Sequence, residues 1–322
     1  MEFNSRIDLS EVSDKIQKIK TESEKVLIGQ EKMLDLILIA ILSNGHVLIE
    51  GVPGVAKTLS SKLIAKMIDA TFKRIQFTPD LMPSDVLGTS VFNLKSSEFE
   101  FKKGPVFADI LLIDEINRAP AKTQASLFEV MEERQVTNDG VKYSMEKVFS
   151  ILATQNPIEQ EGTYRLPEGQ LDRFLFKINV GYPKLSEEVE ILKSRYNNAD
   201  LNSLEQIEAV LSKDDILKLR SLTRDVIVQE NLFEYITNLI SETRNSPLLY
   251  LGASPRASLD LMMASRSYAA IQGRDFITPD DIQFLFEAVV AHRIILSSEA
   301  ELEGLTDQEV CQRIMQKVEV PK

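Results

Sequence analysis

Three short stretches of this 322-residue chain carry side chains whose types and spacing could do chemistry together. The first is Gly51-Val52-Pro53-Gly54-Val55-Ala56-Lys57-Thr58, glycine-rich and closed by a lysine and a hydroxyl. Backbone N–H groups of such a loop, at the start of a helix, would surround a phosphate. Lys57 would then neutralise charge on the β and γ groups, and the Thr58 hydroxyl would ligate magnesium. The strict pattern has glycine where Ala56 stands, and an alanine forced to positive φ costs on the order of 1 kcal/mol. An ordinary strand-to-helix turn of small residues is the plainer alternative for this loop taken alone. The second stretch, Ile110-Leu111-Leu112-Ile113-Asp114-Glu115, is an apolar run ending in two carboxylates. Asp114 would hold magnesium and Glu115 would orient and polarise an attacking water; in isolation the pair would be a solvated turn. The third, Ile151-Leu152-Ala153-Thr154-Gln155-Asn156-Pro157, delivers Asn156, which could hydrogen-bond a γ-phosphate or the water, or simply serve as a turn residue before Pro157.

These side chains meet only if particular elements place them at one edge. Apolar residues recur at helical spacing over 31–42, Asn44-Gly45 supplies a stop, and an apolar strand follows at 46–50. Strand-like runs recur at 73–77, 110–114, 148–153 and 174–180, with helical patterns at 59–68 and 120–133. Apolar strands alternating with helices predict an α/β core, a parallel sheet covered on both faces. Two stretches break the alternation, 85–107 and 134–147, and both read as β-hairpins; the second has Asn138-Asp139-Gly140 at its turn. From residue 184 the chain reads as amphipathic helices at 186–196, 213–226, 232–244, 255–271 and 279–296. The expected division is a helical extension over 1–25, an α/β domain over 26–183 and an all-helical domain over 184–322. Ser254-Pro255 and Thr278-Pro279 each place a capping hydroxyl before a proline at the first helical position.

Composition narrows the partners. With 49 acidic against 37 basic residues the chain carries a net charge of −12, which repels nucleic-acid phosphates. The single cysteine, Cys311, excludes an intrachain disulfide, and residues 1–25 lack an apolar signal core. The longest apolar run, 36–42, falls far short of a bilayer span. A reducing cytoplasm is the expected compartment, with no direct membrane insertion. His46 and His292 have no cluster of metal ligands around them, so magnesium with ATP is the only metal chemistry the sequence supports.

The three stretches, followed by Gln170-Leu171-Asp172-Arg173-Phe174 and Gly252-Ala253-Ser254-Pro255-Arg256-Ala257, resemble the MoxR family of AAA+ ATPases. The similarity runs from Val26-Leu27-Ile28-Gly29-Gln30 to His292-Arg293-Ile294. Its most specific parts are the loop with alanine before lysine and Asp114-Glu115-Ile116-Asn117-Arg118-Ala119-Pro120. The resemblance implies an AAA+ P-loop αβα core with helix-2 and pre-sensor-1 hairpin inserts and a helical lid. It implies that Ile28, Gly29 and the stretch Gly51, Val52, Pro53, Gly54, Val55, Ala56, Lys57, Thr58 and Leu59 bind nucleotide. Asn156 takes the place of sensor 1, Arg256 of sensor 2, and Arg173 of an arginine finger directed at a neighbouring subunit. Arg165, standing where the family pattern suggests proline, is the other candidate for that intersubunit role.

The function so implied is ATP hydrolysis by a homo-oligomer, a hexameric ring, that remodels or matures protein clients, von Willebrand factor A domain proteins among them. Two other readings compete. A nucleic-acid motor of the MCM type shares the hairpin inserts, but the acidic balance and the uncharged-to-acidic tip Asn138-Asp139-Gly140 count against it. A nucleotide-gated scaffold without hydrolysis would be expected to have lost one of Lys57, Thr58, Asp114 or Glu115.

Overall fold

The structure is a computed structural model and describes residues 9–157, 162–197 and 204–321. Helix α1 (Ser10–Glu24) and α2 (Glu31–Leu42) lead into β1 (Val47–Gly51) and α3 (Lys57–Met67), then β2 (Phe72–Gln76) and the short α4 (Pro83–Leu87). A hairpin of β3 (Gly88–Asn93) and β4 (Glu98–Lys103) precedes β5 (Ile110–Asp114) and α5 (Ala121–Glu133). A second hairpin, β6 (Gln135–Asn138) and β7 (Val141–Ser144), precedes β8 (Ser150–Gln155), the single turn α6 (Glu168–Leu171) and β9 (Phe176–Val180).

Five strands form one sheet in the order β2-β5-β8-β1-β9, and every pairing is parallel. Alternation explains why the strands read as unbroken apolar runs. Val47, Ile49, Ile110, Leu112 and Leu152 enter the core on one face, whereas Leu48, Leu111, Ile113, Ile151 and Ala153 enter a separate core on the other. A strand with both faces buried has no place for a polar side chain until it leaves the sheet. The first face is covered by α2, whose nine residues Met33, Leu34 and 36–42 are all buried. The second is covered by α5 through Leu127, Phe128, Val130 and Met131.

Both hairpins lie where expected, rooted in the second core through Val136 and Phe101, and they hold each other. Ser90 Oγ donates to Asp139 Oδ2 at 2.5 Å, and the Phe101 and Tyr143 rings lie 4.4 Å apart.

The rest of the chain contributes α7 (Leu185–Asn197), α8 (Lys213–Asp225), α9 (Glu230–Asn245), β10 (Leu249–Leu251), α10 (Pro255–Ile271), α11 (Pro279–Val290), β11 (Ile295–Leu296), α12 (Ser298–Leu302) and α13 (Asp307–Lys317). Two expectations are corrected here. The helix predicted through residue 296 ends at Val290, and β11 pairs antiparallel with β10, so this segment is not purely helical. The cause is local: His292 bonds Phe174 O at 2.9 Å, while Arg293 pairs with Asp172 at 3.0 Å and Asp260 at 2.5 Å. Turning both side chains toward the loop before β9 breaks the helical stripe, and the β-branched Ile294 and Ile295 that follow favour extended backbone. Ser254 is the N-cap residue of α10, but its hydroxyl does not cap; it bonds the Asp172 carboxylate at 3.1 Å. The N-terminal helix α1 is docked, with Val12, Ile16 and Ile19 buried and Lys15 paired to Asp215 of α8 at 2.5 Å.

His46 lies at the start of β1 and is wholly buried. The Ile151 N–H donates to its Nδ1 at 2.9 Å, which leaves Nε2–H to donate to Met131 O at 3.2 Å. Burial, with the charge of Arg134 nearby, pushes its pKa down to about 3, and burial likewise lowers that of His292. The unfolded imidazoles take up protons near pH 6.5 that the folded ones refuse, so stability is lost as pH falls through this range. Urea denaturation between neutral pH and about pH 5 should show a loss of up to about 1.4 kcal/mol per pH unit for each histidine. A flat profile over that range would contradict the buried neutral assignment.

Candidate functional site

The P-loop connects β1 to α3 at the carboxyl edge of the sheet, where α/β folds collect ligands. Ala56 has φ 62° and Gly54 has φ 89°, so the position without its usual glycine is left-handed and carries the cost that condition implies. An added Cβ on Gly54 would meet nothing within 4 Å, so the loop backbone is open on that side. Gly51 is needed for another reason: a Cβ there would sit 2.6 Å from Val180 O.

Pro53, Gly54, Ala56, Lys57, Thr58, Leu59, Asp114, Glu115 and Asn156 line one cavity of about 650 Å³. Strand order brings them together. β8 lies between β5 and β1, so Asn156, just past its end, stands between the carboxylates and the P-loop. Lys57 Nζ donates to Gly51 O; burial lowers its pKa, against the opposing charges of Asp114, Glu115 and Glu50. Glu115 has φ 57° and ψ 54°, a left-handed conformation held by its N–H donating to Thr154 Oγ1 at 3.1 Å. The same hydroxyl donates to Asp114 Oδ1 at 3.2 Å.

Five residues in this wall were not singled out from the sequence: Lys62, Arg74, Gln76, Thr154 and Leu204. Arg74 Nε pairs with Asp114 Oδ2 at 2.6 Å, and Gln76 Nε2 donates to Glu115 Oε2 at 3.1 Å, beside Arg118 Nε at 2.7 Å. The available signal was positional: Arg74 and Gln76 share a face of β2, flanking the buried Ile75.

Other expected residues lie elsewhere. Val55 is buried and Val52 packs on the core behind the loop, so neither lines the cavity. Ile28 lines neither this cavity nor the next. Gly29, with φ 74°, opens onto a second cavity of about 320 Å³ together with Lys177, Gly181, Tyr182 and Glu187. Gly51 pairs with Val180 across β1 and β9, so this cavity flanks the P-loop on the side away from Asp114. Arg173 and Arg256 meet at one carboxylate, Glu132, at 2.8 and 3.7 Å. They line a cavity with Asn44 and His46, where β1 begins. The P-loop lies at the other end of that strand, about 16 Å away by strand rise. Arg165 is exposed and lies 3.7 Å from Glu168.

A family model for AAA ATPases associated with various cellular activities matches residues 46–176, and a model of the AAA lid domain matches 241–314. The chain is 43% identical to chaperone MoxR1 of Mycobacterium tuberculosis over 94% of its own length and 81% of that protein. The chain belongs to the MoxR family of AAA+ ATPases. This MoxR chain is also 46% identical to the uncharacterised protein YeaC of Bacillus subtilis, over 92% of each. The crystal structure of a candidate ATPase from Cytophaga hutchinsonii superposes with a TM-score of 0.89 at 41% identity, covering 98% of this chain and 97% of that one. As expected of a MoxR protein, the fold is the AAA+ αβα core with a helical lid, and nucleotide is its ligand class. Among the described residues no helix is long and apolar enough to cross a membrane.

Proposed function

We propose that this chain hydrolyses ATP with magnesium in the cavity above the P-loop and uses the cycle to remodel protein partners. The observation that carries the reading is the convergence of Lys57, Thr58, Asp114, Glu115 and Asn156 on one cavity at the carboxyl edge of the sheet. The donor set fits magnesium: the Thr58 hydroxyl and the Asp114 carboxylate are hard oxygen ligands, few enough to leave positions for phosphate and water. When bound, the ion supplies positive charge to the phosphate oxygens. Lys57, leaving Gly51 O, neutralises the β/γ charge, and the α3 N-terminus and loop amides hold the phosphates. Glu115 accepts a proton from the attacking water, while Asn156 orients that water or the γ-phosphate. The cavity beside Gly29 is the place for the base, since it adjoins the P-loop on the other side from the γ-phosphate residues.

Completing the site takes a second copy. Arg173 and Arg256 are too far from their own P-loop to serve it, which supports a homo-oligomeric ring, a hexamer, in which they face a neighbour's γ-phosphate. The chaperone description of MoxR1 supports protein clients, with von Willebrand factor A domain proteins as the first to try.

Lys57→Ala should abolish ATP binding, a loss of a hundredfold or more in affinity, while circular dichroism stays unchanged. The Lys57 ammonium hydrogen-bonds a carbonyl of its own loop and ties no other element of the fold. Titration with a fluorescent nucleotide tests it, and wild-type affinity in the variant would end the assignment.

A further inference from the structure

A cavity of about 370 Å³ lies away from the nucleotide site, between the end of α2, the loop before β8, and helices α8 and α10. Its wall contains four cationic side chains, Lys147, Arg220, Arg224 and Arg266. Among the described residues no carboxylate lines it, in a chain with 49 acidic and 37 basic residues. Hydroxyls stand among the cations: Ser43, Ser221, Thr223 and Ser267. Helical spacing sets the wall, with Arg220 and Arg224 one turn apart on α8 and Arg266 beside Ser267 on α10.

Arg220 is the informative member, at 9% exposure. Its Nε donates to Ile41 O at 2.9 Å and its Nη1 to Lys147 O at 2.8 Å, which ties α8 to α2 and to the loop before β8. Its Nη2 is buried and has no partner, and Arg266 Nε is in the same condition. Burial and the charges of Arg134 and Arg224 push the Arg220 pKa down to about 10, so the protein leaves this charge uncompensated. Two features offset part of it. Asp225 adds a stabilising charge near Arg266, and the C-terminal ends of α2 and α8 bring carbonyl dipoles. Neither supplies an acceptor for the two unmet donors. Buried guanidinium groups in such a setting are characteristically met by an oxyanion with several acceptor oxygens.

We propose that this cavity is a second anion site, separate from the P-loop, that takes an oligophosphate, either free or as the phosphate chain of a nucleotide. An occupant would touch α8 and α10 on one side and the end of α2 and the loop at Lys147 on the other. It would therefore cross-link the C-terminal helices to the sheet domain.

The test uses the full chain carrying Lys57→Ala in every sample, so that the P-loop does not compete, and titrates inorganic pyrophosphate by calorimetry at constant ionic strength. Arg220→Gln is not the variant of choice, because that side chain also holds α8 in place. Lys147→Ala and Arg224→Ala remove charge at exposed positions instead. Saturable pyrophosphate binding, weakened about tenfold by each of these two substitutions, is the expected result. Displacement of pyrophosphate by ADP would assign the site to a nucleotide's phosphates, and failure of ADP to displace it would assign free oligophosphate. Absence of saturable binding at millimolar pyrophosphate, affinity unchanged by Lys147→Ala and Arg224→Ala, or equally tight binding of citrate would each overturn the proposal. Loss of the Lys57 assignment would show instead as ATP binding retained in Lys57→Ala, independently of pyrophosphate.

Discussion

Glu115→Gln should bind ATP with near wild-type affinity and hydrolyse it about 10²- to 10⁴-fold more slowly, the range expected for loss of a general base. Binding and turnover separate because different atoms carry them. In the proposed site affinity rests on loop amides, Lys57 and the Asp114 side of the cavity, none of which glutamine alters. The shape of the turn should also survive, because the left-handed backbone at 115 is held by its own N–H on Thr154 Oγ1 and not by the carboxylate. What glutamine removes is the negative charge that would take a proton from water. It also weakens the pairing with Arg118 at 2.7 Å, an exchange of an ion pair for a neutral hydrogen bond on a half-exposed side chain, worth little to stability. Asp114→Asn should behave differently and weaken magnesium-dependent nucleotide binding itself. Bound nucleotide per chain and single-turnover phosphate release, measured on the same preparation, decide the matter. Phosphate release at the wild-type rate from Glu115→Gln would move the base elsewhere in the cavity.

The division between what the sequence revealed and what it hid follows the range of the interactions. Asp114, Glu115 and Asn156 were legible because a buried parallel strand is apolar until it nears the edge of the sheet, so the short polar stretch that ends each run marks the carboxyl edge, although it does not say which of Thr154, Gln155 and Asn156 faces the cavity. The P-loop was legible for the same reason, with glycine and lysine at fixed spacing after such a run. Arg74, Gln76 and Thr154 were not. Their role depends on β2 lying next to β5 and β8 lying next to both β5 and β1, an order that no local pattern encodes. The pair β10 and β11 was hidden for a similar reason, since its two very short strands lie far apart in sequence and only their pairing defines them. Arg173 and Arg256 were singled out by resemblance, yet their common contact with Glu132 needs three elements to close on one point. The anion cavity lies at the far end of this scale: its four cations come from three separate parts of the chain, and each reads locally as an ordinary surface residue.

Mixing Lys57→Ala chains with Arg173→Ala chains should restore hydrolysis that neither shows alone, because the proposed catalytic unit spans two copies. The geometry favours this reading over one in which Arg173 serves its own nucleotide, since Arg173 sits where β1 begins and the P-loop where β1 ends. A chain on its own then has its cation at Lys57 but lacks the transition-state guanidinium, a deficit of about 10³- to 10⁵-fold in comparable phosphoryl-transfer systems. Glu132 does not prevent the transfer. Its contact with Arg173 at 2.8 Å is partly exposed on both sides, and such pairs contribute at most about 1 kcal/mol, so a γ-phosphate can replace it. Lys57→Ala keeps a good finger and loses its pocket, while Arg173→Ala keeps a good pocket and loses its finger. In mixed rings some interfaces join the two intact halves, and activity should pass through a maximum as the mixing ratio varies. Arg256→Ala in place of Arg173→Ala should complement in the same way, because both arginines lie at Glu132 and in the proposed ring would face the same neighbour. Assembly is checked independently by light scattering. Full activity in Arg173→Ala alone, or no recovery in mixtures verified to share rings, would remove Arg173 from the role and leave the exposed Arg165 as the residue to test next.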